Sequence, residues 1–169
     1  ATRGWDLWVY DRAGTGDSAM DGPLTPGNPA HTEDWAAMLQ HVRQEGAPVL
    51  GFSWSGGVIP VLRAAVAGHC PDALVDGEGP VDRWSLVPPS GNELTGRDPW
   101  DAAAWDGLEG VQMIASMQGS YLRLQAEDDH VHRTMHHHAD RMVEAARKAG
   151  LSVGPMANMP GKLHQNPMA

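Results

Sequence analysis

Short runs of strand-forming residues alternate along this chain with amphipathic stretches of helical period. Glycine or proline punctuates nearly every junction. The strand-like runs are Leu7 to Asp11, Ala47 to Phe52, Asp72 to Gly77, Tyr121 to Glu127 and Leu151 to Met156. Helical stretches separate most of them, so the strands cannot pair simply through tight hairpins. They must lie parallel, joined by right-handed crossovers, with helices covering both faces of the sheet. The alternation therefore predicts an α/β fold: a mostly parallel sheet flanked by helices. With 169 residues, the chain is long enough for one such domain, residues 1–169, with a real core.

The first helix is expected near Thr32, a suitable N-cap, with Glu33 and Asp34 in its first turn. Trp35, Met38, Leu39 and Val42 fall at i, i+3, i+4 and i+7 and share one face. Gly46 is the expected stop. A second helix covers "SGGVIPVLRAAVAG" and ends at Gly68. Pro60 is tolerable there only in the first turn or as a kink. A third runs from Arg133 to Ala149, with Met135, Ala139, Met142, Val143 and Ala146 in one stripe. Residues 81–120 break the pattern. They hold Pro88, Pro89, Gly91, Gly96 and Pro99 beside Trp84, Trp100 and Trp105. This segment is expected to be an irregular cap or lid insertion with one or two short helices.

Charge and composition exclude some functions. The formal net charge of −9 repels phosphate backbones, which argues against a general nucleic-acid partner. No apolar run approaches the roughly 20 residues of a membrane-spanning helix. The single cysteine, Cys70, cannot form an internal disulfide and is expected to be a small buried residue. Compartment is not decided by this pattern. The chain starts at Ala1 with no signal pattern, so a processed or truncated piece is expected. His130, His132, His136, His137 and His138 crowd nine positions, but no cysteine or well-placed third ligand joins them. They are expected to be solvated helix-surface residues, with no metal and no cofactor.

The most informative segment is Gly51-Phe52-Ser53-Trp54-Ser55-Gly56-Gly57, between a predicted strand and a predicted helix. A serine there sits on a tight strand-to-helix turn. Such a turn needs small residues two before and two after it, and Gly51 and Ser55 flank Ser53 in that way. The helix N-terminus turns amides toward the serine oxygen, and the Trp54 N–H can donate to a developing oxyanion. An alternative alignment makes Ser55 the nucleophile, with Ser53 and Gly57 as its flanks. It starts the turn later than the strand is expected to end, so Ser53 is preferred. The plainer reading is a Gly/Ser-rich helix cap without chemistry.

"GFSWSGG" resembles the G-x-S-x-G nucleophile elbow of the α/β-hydrolase family, with Ser55 at the last small position. "GWDLWVYDRAGTGDS" resembles the family's strand and D-x-R-G-x-G-x-S loop, with Ala13 in place of the arginine and Arg12 one residue earlier. Gly14 and Gly16 there supply a tight turn, which is scaffold rather than chemistry. The resemblance covers nearly the whole chain, from the fourth of the family's usual eight strands onward. It implies a triad in the order Ser, acid, His. The acid loop "AEDDHV" offers Asp129, with Asp128 as rival; both also suit a helix cap. His164 in "MPGKLHQN" follows the last predicted strand, where the family places its base.

The resemblance thus implies a serine hydrolase with Ser53, Asp129 and His164 as triad and the Trp54 N–H in the oxyanion hole. Cleavage of a carboxylic ester through an acyl-enzyme is the expected reaction, with amide or peptide cleavage second. A non-catalytic binding scaffold of the same fold is the rival from another class. The expected partner is a small-molecule substrate with an apolar acyl or alcohol group, held against the insertion's tryptophans.

Overall fold

The computed structural model describes residues 4–19, 27–43, 46–84, 98, 100–128 and 135–163. Helix α1 spans Pro29–Arg43, strand β1 Leu50–Trp54 and helix α2 Val58–Val66, with a 3-10 turn at Ser55–Gly57 between the last two. Strand β2 is Ala73–Gly77. A short helix α3, Gly110–Met113, is flanked by 3-10 turns at Ala103–Trp105 and Ile114–Ser116. Strand β3 is Ser120–Asp128 and helix α4 is Met135–Lys148. Strands β4, Ser152–Val153, and β5, Ala157–Leu163, close the described chain.

All strand pairs are parallel. β1 pairs with β2 and β2 with β3. β4 and β5 follow one another along the far edge of β3, because Ser120 and Leu124 each pair both with β2 and with that side. The four C-terminal strand ends, at Trp54, Gly77, Asp128 and Leu163, therefore lie along one rim. In open parallel sheets, ligands bind at that rim.

Helices α2 and α4 form the core with the α3 region. Val58, Leu62, Ile114, Tyr121 and Met142 are fully enclosed. Each large apolar side chain buried there contributes about 1.5–3 kcal/mol. Pro60 lies in the first turn of α2, the position a helix tolerates. Cys70 is buried and unpaired.

Several elements differ from expectation. Helix α1 begins at Pro29, three residues before Thr32, because Asn28 Oδ1 accepts the Ala30 N–H at 3.0 Å and proline opens the first turn. Residues 7–11 form no strand among the described residues. Leu7 is 87% and Val9 80% exposed, and no neighbouring strand gives them a ladder. The glycine turn after them is formed, with Gly14 and Gly16 at φ 77° and 54°. It docks on α1: Ala13 N–H donates to Asp34 Oδ2 at 2.6 Å, and Ala13 O meets His31 Nε2 at 3.0 Å. Residues 152–163 form two strand segments instead of one strand and a tail.

The 81–120 stretch divides. Trp105, Leu108, Met113, Ile114 and Met117 belong to the core. Residues 85–97 and 99, on which much of the expected lid falls, lie outside the described residues. Among the described residues, no helix is long and apolar enough to cross a membrane, and no cluster of three metal-ligating side chains occurs. His130 and His132 lie outside them.

Candidate active site

Strand β1 continues two residues beyond the predicted Phe52 and ends at Trp54. Ser53 is therefore a strand residue, paired in register with Asp76. Gly51 and Ser53 point to the same face, since side chains alternate along a strand. A Cβ on Gly51 would lie 3.0 Å from Trp35, and one on Gly57 would lie 3.0 Å from Ser53 Oγ. Ser53 thus sits beneath the first turn that leads into α2, packed against Gly57.

Ser55 is the residue at the corner. It follows the strand directly, has φ 52° and opens the 3-10 turn that becomes α2. A left-handed backbone at a non-glycine residue costs about 1–3 kcal/mol and persists only where the surroundings impose it. Its neighbours two before and two after, Ser53 and Gly57, approach each other closely, as a sharp strand-to-helix corner demands. Trp54, expected as an oxyanion donor, is the last strand residue, and its ring covers Gly77. In the Ser55 alignment, the N–H following the serine belongs to Gly56.

The adjacent corner is as tightly built. After β2, Glu78 also has a positive φ, 54°, and is fully buried. Its N–H donates to Leu124 O at 3.0 Å, and its Oε1 accepts the Ala126 N–H at 2.7 Å. Beneath it, Asp76 accepts from Arg123 Nη1 at 2.9 Å through both oxygens, from Tyr121 Oη at 2.5 Å and from Gly79 N at 2.9 Å. Arg123 Nη1 also donates to Gly79 O. Burial, reinforced by the Asp76 charge, pushes the Tyr121 phenol well up. For Arg123, burial acts most strongly and against the charged form, but Asp76 and Tyr121 together outweigh it and raise the pKa.

The remaining expected residues fall at or beyond the strand ends. Asp128 is the last residue of β3 and pairs with Leu163, the last residue of β5. Asp129 and His164 follow these two directly in the chain and lie outside the described residues. Glu78 escaped the sequence reading. Its only signal was a lone acid in "DGEGP", which looks like an ordinary turn.

No protein-family model matches the chain, and no curated protein matches it by sequence. Solved structures do match its fold. The Porphyromonas gingivalis dipeptidyl peptidase 4 aligns at TM-score 0.64 and 16% identity, over 79% of this chain and 19% of that one. A carboxyl esterase of the fungus Tuber melanosporum aligns at 0.58 and 14%, over 80% and 52%. A Thermus thermophilus protein aligns at 0.60 and 16%, over 94% and 68%. The chain has the α/β-hydrolase fold. It spans about a fifth of the peptidase and about half of the esterase.

Proposed function

We propose that this chain carries the nucleophile of a serine hydrolase that transfers an acyl group to water, with Ser55 rather than Ser53 as the attacking residue. The observation that carries this reading is the left-handed backbone of Ser55 where β1 turns into α2. Strain of this kind concentrates at sites where function requires it. Ser53 has the small flanks Gly51 and Ser55, but it lies inside the strand, which runs on to Trp54.

In the proposed reaction, His164 takes the proton of Ser55 as the oxygen attacks a carbonyl carbon. Asp129 holds the imidazole in the donating tautomer. The N–H of Gly56 faces the developing oxyanion, in the role first given to Trp54. Water then cleaves the acyl-enzyme by the same steps, with His164 as base. Support for the two partners is their position in the chain, one residue past the adjoining ends of β3 and β5. A carboxylic ester with an apolar acyl or alcohol group is the preferred substrate. The Trp84 and Trp100 rings, edge to face at 4.8 Å, offer such a group an aromatic surface. Amide cleavage is the second reading, favoured by the peptidases among the structural neighbours.

A fluorophosphonate probe followed by peptide mapping tests the proposal. Label on Ser55, kept in Ser53→Ala and lost in Ser55→Ala, is the expected result. Label on Ser53 returns the role to that residue. A folded protein that takes no label is a binding scaffold instead.

A further inference from the structure

We propose that Glu78 is a positioning residue for the same reaction: its carboxylate fixes the end of β3, the strand that Asp129 follows in the chain, against the serine corner. This inference rests on the hydrolase reading. Trp54 pairs with Gly77, so Ser55 and Glu78 are the next residues along neighbouring strands. At this point β2 leaves the sheet and the β2–β3 ladder ends, its last pair being Gly77 and Leu124. The Glu78 side chain then takes over from the backbone. Its Oε1 receives the Ala126 N–H at 2.7 Å, two residues before the end of β3 at Asp128.

The turn that holds Glu78 has no slack. A Cβ on Gly77 would strike the Trp54 ring at 2.1 Å, and one on Gly79 would meet Val58 Cβ at 2.6 Å. Asp76 and Arg123 grip Gly79 at both its N–H and its carbonyl. One face of the turn thus rests on the elbow and the first residue of its helix, and the other on β3. A carboxylate buried on a left-handed backbone beside the Ala126 amide is costly to keep. The cost is intelligible if the amide's position matters. A displacement of about 1 Å at a catalytic group can lower turnover about 100-fold.

Two variants separate reach from charge. Glu78→Gln keeps the length and the acceptor oxygen. Glu78→Asp keeps the charge but falls one methylene short of Ala126. The readouts are the fluorophosphonate labelling rate of the folded protein, and kcat and KM on p-nitrophenyl acetate. Glu78→Gln is expected to stay close to wild type. Glu78→Asp is expected to lose about 100-fold in labelling rate and in kcat, with KM nearly unchanged. Wild-type rates in a folded Glu78→Asp overturn the proposal, as does a loss in Glu78→Gln equal to that in Glu78→Asp. A wild-type protein that takes no label overturns the hydrolase reading itself, which distinguishes the two failures.

Discussion

Ser55 and Glu78 stand on adjoining strands, each one step past the last paired residues, and each with a left-handed backbone, at φ 52° and 54°. They are the two non-glycine residues with positive φ among the described residues. Two neighbouring parallel strands thus turn out of the sheet at the same level by the same strained device. The space between the two turns is filled by the Trp54 ring over Gly77 and by Val58 against Gly79. Strain at one corner is held in place by packing from the other.

Relief of that strain should separate stability from chemistry. Ser55→Gly removes the side chain that disfavours φ 52°, and glycine adopts that backbone without steric cost. The variant is expected to gain about 1 kcal/mol in urea unfolding while losing all fluorophosphonate labelling. A less stable variant would mean that what the Ser55 side chain contributes in contacts exceeds what its backbone costs in strain.

The contact between the corners makes a second prediction. Gly77→Ala places a methyl 2.1 Å from Trp54 Cε3, so the indole must move. The expected loss is about 1–3 kcal/mol. Trp54→Leu removes the obstructing ring, and in that background Gly77→Ala should cost much less. A double-mutant cycle by urea denaturation measures the coupling; additive effects would show that the ring does not bear on Gly77.

The fold was legible because its signals are local. Apolar periodicity, the glycines at 14, 46, 68 and 150, and the position of Pro60 each state a backbone preference within a few residues. The errors came where distant partners decide. Leu7 to Asp11 has the composition of a strand, but a strand exists only by pairing. Phe52 looked like the strand end because serine and glycine follow it. Pairing with Asp76 and Gly77 carries β1 on to Trp54. Glu78 was invisible for the same reason. Its hydrogen bond reaches Ala126, 48 residues away.

The buried ion pair beneath the rim allows a third prediction. Arg123 and Asp76 are both fully enclosed, and Arg123 also holds Gly79 O and Gln125. Arg123→Met leaves the Asp76 charge without its counter-ion and is expected to cost about 3–5 kcal/mol. Asp76→Asn in that background keeps an acceptor for Tyr121 and Gly79 but removes the stranded charge. The double variant should therefore be more stable than Arg123→Met alone, as read from urea midpoints. A double variant less stable than either single one would mean that Asp76 matters for its hydrogen bonds rather than its charge.

Tyr121 should make the fold sensitive to alkali. Burial first, and then the Asp76 charge, raise its phenol pKa, so the folded chain keeps this proton at pH values where the unfolded chain releases it. The unfolded phenol titrates near pH 10. Below that value both states hold the proton and the stability from this group is fully present. Above it the unfolded state binds fewer protons, and stability falls as pH rises. The slope for one proton approaches about 1.4 kcal/mol per pH unit. Tyr10 is also raised, chiefly by burial and then by Asp34, and contributes a slope of its own. Tyr121→Phe is expected to start less stable, because Asp76 loses a hydrogen bond, but to decline less steeply from pH 10 to pH 11. Urea unfolding at pH 9, 10 and 11 measures both quantities, and equal slopes in the two proteins would show that the Tyr121 proton is not held by the fold.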